Sequence, residues 1–207
     1  MNTARKKIAG VILSAGESKR MGFPKALLKL DESTLLARQH ELLNLSGCDP
    51  VIAVVGCKAE EIMSEHPLLP VKWVQNKIWP KGQFSSAAAG ISEALSDNSS
   101  GALLLPVDVV GINVKTIRSI LDAASQMPAI DAIIPTYKGR GGHPVYLSKK
   151  FCENLIGLDL DDEDSRLDVQ LSRCESKSRI ETEDAAILKN INTPEDFSSS
   201  RDLSTRS

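Results

Sequence analysis

Ala9-Gly-Val-Ile-Leu-Ser-Ala-Gly-Glu-Ser-Lys-Arg-Met-Gly-Phe-Pro-Lys25 is the stretch whose reading decides the fold. With Ile8, its first half is an apolar run to Leu13 that reads as a short buried strand, ended by the small residues Ser14, Ala15 and Gly16. Arg20, Gly22, Pro24 and Lys25 follow within nine residues of that turn. Small residues let backbone approach a ligand closely, so that its N–H groups can point at phosphate oxygens. Arg20 and Lys25 add positive charge to the same loop. Pro24 is placed to open the next helix, which puts Lys25 at a positive helix N-terminus. A strand, a small-residue loop and a helix start suit the holding of a triphosphate.

Working outward, the rest of the chain repeats the strand–helix rhythm. Glu32 to Leu45 has one apolar helical face and is closed by Gly47. Val51 to Val55 reads as a strand, Ala59 to His66 as a short helix before Pro67, and Val71 to Val74 as a third strand. A helix from Phe84 to Leu95, a strand from Ala102 to Val107, a helix from Val114 to Met127 and a strand from Ile130 to Thr136 continue the series. This alternation predicts an α/β fold, a Rossmann-like and mostly parallel sheet with helices on both faces. Such sheets bind ligands beyond the carboxyl ends of their strands, where the 14–25 loop, Asp108 and the loop after Val74 all fall. Beyond residue 137 the rhythm weakens into the loop Gly139 to Pro144, a short strand Val145 to Leu147, a helix Lys149 to Leu158 and the acidic run Asp159 to Ser165. Residues 1–197 read as a single domain, and 198–207 as a disordered tail without apolar periodicity.

Composition narrows the class. The 207 residues are 42% hydrophobic, enough for one α/β core, and the net charge of −2 points to neither nucleic acid nor a membrane surface. No apolar run reaches the roughly 20 residues that span a bilayer. The N-terminal Met-Asn-Thr-Ala-Arg-Lys-Lys runs straight into the first strand, which argues against a signal peptide and for the cytoplasm. The four cysteines, Cys48, Cys57, Cys152 and Cys174, have no metal-ligand or framework spacing and read as reduced, mostly buried thiols.

The loop is neither of the two common phosphate loops. A Walker A sequence needs Gly-Lys-Ser/Thr, whereas Gly22 is followed by Phe-Pro-Lys, and the dinucleotide fingerprint Gly-x-Gly-x-x-Gly is absent. Instead, Leu13, Ala15, Gly16, Arg20, Met21, Gly22 and Lys25 fall on the pattern Leu-x-(Ala/Gly)-Gly-x-x-x-Arg-Met-Gly-x-x-Lys. In this the chain resembles the nucleotidyltransferases related to molybdenum-cofactor guanylyl- and cytidylyltransferases. The resemblance implies a nucleotide-diphospho-sugar-transferase-like fold and a nucleotide site at Leu13, Ser14, Ala15, Gly16, Arg20, Gly22 and Lys25. It also implies a catalytic set of Arg20, Lys25 and Asp108, with Mg²⁺ held by Asp108 and by Asn192 of Asn190-Ile-Asn-Thr-Pro-Glu-Asp196. The family usually has Asp where Asn192 stands; the amide carbonyl can coordinate, but one negative charge is lost. Thr193-Pro194 reads equally as an ordinary helix cap and first turn.

The family's Asn-x-x-Trp-x-x-Gly-x-x-x-Ser pattern is met by Asn76, Trp79, Gly82, Ser85 and Ser86, which adds Asn76, Ser85 and Ser86 to the nucleotide site. A plain helix cap at Ser85 or Ser86 is the alternative, and Lys77 and Lys81 read as solvated. Gly142-His143-Pro144 resembles a turn of the cytidylyl branch on the acceptor side, so Gly142 and His143 are expected to bind the acceptor. The implied reaction passes a nucleotidyl group from a nucleoside triphosphate to a phosphorylated acceptor such as molybdopterin, with a molybdoenzyme or chaperone as a possible partner. Ala15 favours CTP, because the guanylyl branch typically carries glycine there. Where many cytidylyltransferases have Gly-Asp-x-Gly-Ala-Arg, this chain has Asp161-Asp-Glu-Asp-Ser-Arg166, and that acidic loop suits a pterin phosphate badly. A sugar- or alcohol-phosphate nucleotidyltransferase, a non-catalytic nucleotide-binding module and an oxidoreductase are the other readings.

Overall fold

The computed structural model describes residues 7–193 and 195–197, so the tail at 198–207 lies outside the described residues. In chain order the strands are β1 (Ala9–Ser14), β2 (Lys29–Leu30), β3 (Ser33–Thr34), β4 (Val51–Val55), β5 (Lys72–Gln75), β6 (Gly101–Pro106), β7 (Ala132–Tyr137), β8 (Arg140–Gly141), β9 (Val145–Ser148) and β10 (Lys177–Glu181). The helices are α1 (Leu35–Ser46), α2 (Ala59–Ser64), α3 (Gln83–Ser96), α4 (Val114–Gln126), α5 (Lys149–Ile156) and α6 (Leu167–Arg173).

Eight strands form one sheet in the order β10-β7-β9-β6-β1-β4-β5, with β8 paired to β7. β5, β4, β1 and β6 are mutually parallel, as are β7 and β10; β9 runs antiparallel between β6 and β7. The mostly parallel, two-faced α/β sheet expected from the sequence is thus the fold. Alternate residues of the central strands feed two separate cores. Ile12, Val55 and Leu105 pack with Leu35, Leu36 and Leu43 of α1 and Ile117 of α4, whereas Val11, Val54 and Leu104 pack with Ala87 and Ile91 of α3 and Leu155 of α5. A strand covered on both sides must be apolar at every position, which is why the central strands appear in the sequence as unbroken apolar runs.

Gly90 fixes how closely α3 lies on the sheet. A Cβ there would stand 2.4 Å from Val11 Cγ1 and 2.8 Å from Val54 Cγ2. After β1 the chain proceeds outward to β4 and β5, then returns to place β6 on the other side of β1. Strand order therefore reverses between β1 and β6, the position where open α/β sheets form their ligand crevice.

Several boundaries differ from the sequence reading. No helix follows Pro24: Lys25–Leu27 is a single three-residue 3-10 turn, and the chain then enters the β2–β3 hairpin. The first long helix consequently begins at Leu35, where Thr34 caps it by accepting from the Ala37 N–H at 3.2 Å. Gly47, at φ 98°, ends it as expected. β10 and α6 have no counterpart in the sequence reading. β10 is a sheet-edge strand of largely polar residues, and no apolar run marks it.

Candidate active site

The crevice between β1 and β6 opens into a cleft of about 480 Å³. Leu13, Ser14, Ala15, Gly16, Arg20 and Lys25 line it from the β1 side, and Pro106, Val107 and Asp108 from the end of β6. Trp79, Gly82, Gln83 and Ser86 close a third wall, and Asn192 reaches in from the C-terminal segment. Apart from Asn192, these sequence-distant residues are gathered because each lies past the carboxyl end of a parallel strand or at the N-terminus of α3.

The loop after β1 is held open by its own backbone. Ser18 and Gly22 take positive φ values of 55° and 65°, and the N–H groups of Met21 and Gly22 both donate to the Ser18 carbonyl. The Lys25 N–H donates to Ser18 Oγ at 3.3 Å. The backbone N–H groups of Glu17 to Arg20 take no partner among the described residues, leaving them free for anionic oxygens. Ser14 Oγ donates to the Val54 carbonyl at 2.8 Å and so ties β1 to β4, which leaves its backbone as the part facing the cleft. Arg20 is exposed at the mouth.

At the floor, Lys25 Nζ donates to Asp108 Oδ2 at 2.7 Å and to Asn192 Oδ1 at 2.9 Å. The Lys25 and Asp108 side chains are only 14% and 18% exposed, so this contact is largely screened from water. Two oxygens 84 residues apart in sequence therefore converge on one cationic point. Such a pair fits Mg²⁺, which prefers one or two protein oxygens plus phosphates and waters to a full protein cage. No group of three His, Cys, Asp or Glu side chains able to hold a metal occurs among the described residues.

The backbone around Asp108 is fastened on both sides. Buried Gln39 of α1 donates through Nε2 to the Val107 carbonyl at 3.3 Å and also to the Val109 carbonyl. On the other side the Asp108 carbonyl accepts from Ile191 N at 2.9 Å, and Val110 N donates to the Lys189 carbonyl. Gln39 was not visible in the sequence, where a glutamine within an amphipathic helix looks like surface. Asn192 is set by a capping box: Asp196 N donates to Thr193 Oγ1, while Asp196 Oδ2 accepts from the N–H groups of Asn192 and Thr193 at 2.9 Å each. Those two N–H groups hold the Asp196 carboxyl below its usual range. Helix-cap geometry and the inward aim of Asn192 therefore coexist.

Asn76 and Ser85 stand behind the cleft wall rather than on it. Asn76 Nδ2 donates to Ser85 Oγ at 2.9 Å and Ser86 Oγ at 3.0 Å, and its Oδ1 accepts from Ile78 N. Ser85 Oγ donates to the Gly82 carbonyl at 2.8 Å. Neither serine caps α3 through an N–H bond; the cap residue is Gly82. The cluster rigidifies the 76–86 loop, and of its members only Ser86 faces the cleft. Gly142 lies apart from the lining, pressed on the Ile187 carbonyl so closely that a Cβ would come within 2.4 Å. His143 lines a second cavity that shares Leu13, Gly82 and Gln83 with the first. Its Nδ1 is buried without a partner among the described residues, and burial holds its pKa below the usual value, with Asp108 acting weakly in the opposite sense. Lys81 is exposed, as read from the sequence, and pairs with Asp161 at 2.6 Å. Cys48, Cys152 and Cys174 are buried and Cys57 is half-buried.

Residues 10–174 match the profile of the MobA-like NTP transferase domain. The chain belongs to this family. A molybdenum cofactor guanylyltransferase designated probable, from Mycobacterium ulcerans, is 27% identical over 202 residues, covering 92% of this chain and 91% of its own. The molybdenum cofactor cytidylyltransferase of Escherichia coli K12 is 24% identical over 200 residues, covering 94% and 96%. A nicotine blue oxidoreductase of Paenarthrobacter nicotinovorans is more similar locally, 36% identical over 115 residues, but the chain spans only 55% of its length and the match 55% of this chain. Among solved structures, Rv0371c of Mycobacterium tuberculosis in complex with manganese superimposes with a TM-score of 0.68 at 22% identity, covering 93% of this chain and 97% of that one. The shared fold is the mostly parallel sheet described above. No helix among the described residues is long and apolar enough to cross a membrane.

Proposed function

We propose that this protein is a cytoplasmic nucleotidyltransferase that passes a nucleoside monophosphate from a nucleoside triphosphate to a phosphorylated acceptor and releases pyrophosphate. The observation that carries this reading is the meeting of Lys25 with Asp108 and Asn192 beneath an open small-residue loop. The open N–H groups of that loop, with Arg20 at the mouth, suit the triphosphate. An acceptor phosphate oxygen attacks the α-phosphorus, the bond to the bridging β-phosphate oxygen breaks, and pyrophosphate leaves with that electron pair. An ionised acceptor phosphate has no proton to lose, so no general base is needed. The protein's contribution is alignment and neutralisation of charge that moves onto the leaving phosphates, for which Lys25 and Arg20 are positioned. Asp108 and Asn192 are the residues to hold Mg²⁺, which when bound supplies Lewis-acid polarisation of the phosphate oxygens. The manganese of the mycobacterial structure supports a divalent metal in this role.

Ala15 favours CTP; it lines the cleft, and its Cβ would stand 2.9 Å from a Cβ added at Gly56. The full-length relatives named for molybdenum cofactor synthesis make molybdopterin the first acceptor to test. A sugar or alcohol phosphate is the second reading, favoured by the acidic 161–164 segment beside the site.

Thermal stabilisation by CTP, GTP, ATP, UTP and NAD(P)H, each with and without Mg²⁺, tests the nucleotide site directly. A ligand at 100 times its dissociation constant adds about 2.7 kcal/mol, a clear shift. A magnesium-dependent shift that is largest for CTP is the expected result. A larger shift with GTP moves the protein to guanylyl transfer, a shift with NAD(P)H alone moves it to redox chemistry, and no shift with any nucleotide removes the proposal.

A further inference from the structure

The second cavity, about 710 Å³, is larger than the phosphate cleft and opens beside it across Leu13, Gly82 and Gln83. Its body is apolar. Phe84 and Ala87 of α3, Leu104 of β6, Val145 of β9 and Leu167 and Leu171 of α6 surround it. Its rim carries Asp161, Asp162, Glu163 and Asp168 against two cations, Lys81 and Arg166. Both cations are already committed: Lys81 pairs with Asp161, and Arg166 grips Asp168 through two nitrogens at 3.1 and 2.8 Å. Asp162 and Glu163 face no cation among the described residues. At the neighbouring cleft Lys25 is paired with Asp108, whereas Arg20, exposed at the mouth, pairs with no carboxylate among the described residues and stands beside the open backbone N–H groups of the 17–20 loop. A ligand reaching across both spaces would therefore find its anion site at one end and, at the other, an apolar chamber edged by unneutralised carboxylates.

We infer that this cavity receives the body of the acceptor, and that the acceptor is a phosphomonoester of a largely apolar alcohol that carries no second negative charge. The inference rests on the nucleotidyl-transfer reading and narrows its acceptor. An additional anionic group on the body would lose hydration in the apolar chamber or meet Asp162 and Glu163 at its edge, and both are unfavourable. An apolar body gains from both neighbours, losing contact with water against Leu167 and Leu171 while its phosphate stays at the cationic end. His143 adds an imidazole to the lining of this cavity. An ene-dithiolate pterin, with charge beyond its phosphate, fits this chamber less well than an alcohol phosphate does.

Phenyl phosphate and 4-carboxyphenyl phosphate share a phosphate and an aromatic ring and differ by one carboxylate. Their binding to the full chain, by calorimetry with and without CTP and Mg²⁺ and by hydrogen exchange, tests the inference. Phenyl phosphate is expected to protect the backbone amides of α6. The carboxylate compound should bind about five- to tenfold more weakly at low salt, the scale of unscreened like charges near a protein surface, and the difference should shrink as salt rises. In the double variant Asp162→Lys/Glu163→Lys, at two exposed positions, the preference should reverse. Equal or tighter binding of the carboxylate compound to the wild type, or no protection of α6 by either compound, overturns the inference. Nucleotide stabilisation measured on the same samples separates the two readings. If it persists while discrimination fails, only this inference falls; if it is lost while discrimination persists, the cavity is a ligand site and the transfer reaction is wrong.

Discussion

On the proposed reading the chemistry turns on Lys25, whose ammonium touches both candidate metal-binding oxygens. Substituting Lys25→Ala or Asp108→Ala should each lower pyrophosphate release at least about 100-fold, the scale of losing one electrostatic stabiliser. Near-normal turnover in both would show that the reaction is carried elsewhere. His143 makes a different prediction. Its imidazole is kept neutral by burial, so the unfolded chain binds that proton near the ordinary value of 6.5 while the folded chain binds it only at lower pH. The unfolded state then carries the extra proton, and stability that is complete above about pH 6.5 is lost progressively below it. His40 is shifted in the same direction by its own burial and adds to the slope. Melting curves between about pH 7.5 and about pH 5.5 should therefore fall less steeply for His143→Gln than for the wild type. Identical slopes would mean that His143 is free to protonate in the folded protein.

At the scale of elements, α1 does more than cover the sheet. Gln39 reaches through the core and holds the carbonyls on either side of Asp108, so the helix positions the carboxylate through its backbone. The variant Gln39→Leu keeps the volume and removes the donor, leaving buried carbonyls unmatched at about 1–3 kcal/mol. A melting temperature lowered by several degrees is expected, with pyrophosphate release reduced because Asp108 loses its footing. A variant as stable and active as the wild type would deny Gln39 this positioning role. The sequence could not reveal it, because a buried glutamine and a solvated one look alike within an amphipathic helix. The β1 loop, in contrast, was legible, since no ordinary turn needs Arg20, Gly22 and Lys25 at that spacing behind a buried strand. Pro24 misled locally: it fixes a helical start, but only one 3-10 turn follows before the β2–β3 hairpin takes the chain back to extended backbone. Asn76 and Ser85 carried the right pattern for a different reason, since they brace the 76–86 loop from behind while Ser86 faces the cleft.

For the whole molecule, the central parallel strands were readable because burial on both faces leaves them no polar position, as Val51–Val55 and Ala102–Leu105 show. β10 was not, because an edge strand of Lys177, Ser178, Arg179, Ile180 and Glu181 owes its place to β7 and not to its own apolar content. The reversal of strand order between β1 and β6 likewise depends on pairings that no single segment encodes, yet it is what creates the cleft. Within that cleft, Lys25 brings an ammonium to the two oxygens that suit a metal. A divalent ion binding to those oxygens must compete with the ammonium that contacts them. On the proposed reading, triphosphate oxygens offer that ammonium another anionic partner, so metal should bind more tightly with nucleotide than without it. Magnesium without nucleotide should leave the melting curve unmoved, whereas a metal-only rise would mean that the two oxygens are vacated by Lys25 unaided. Lys25 would on that account act as a latch, making the metal's affinity depend on the nucleotide.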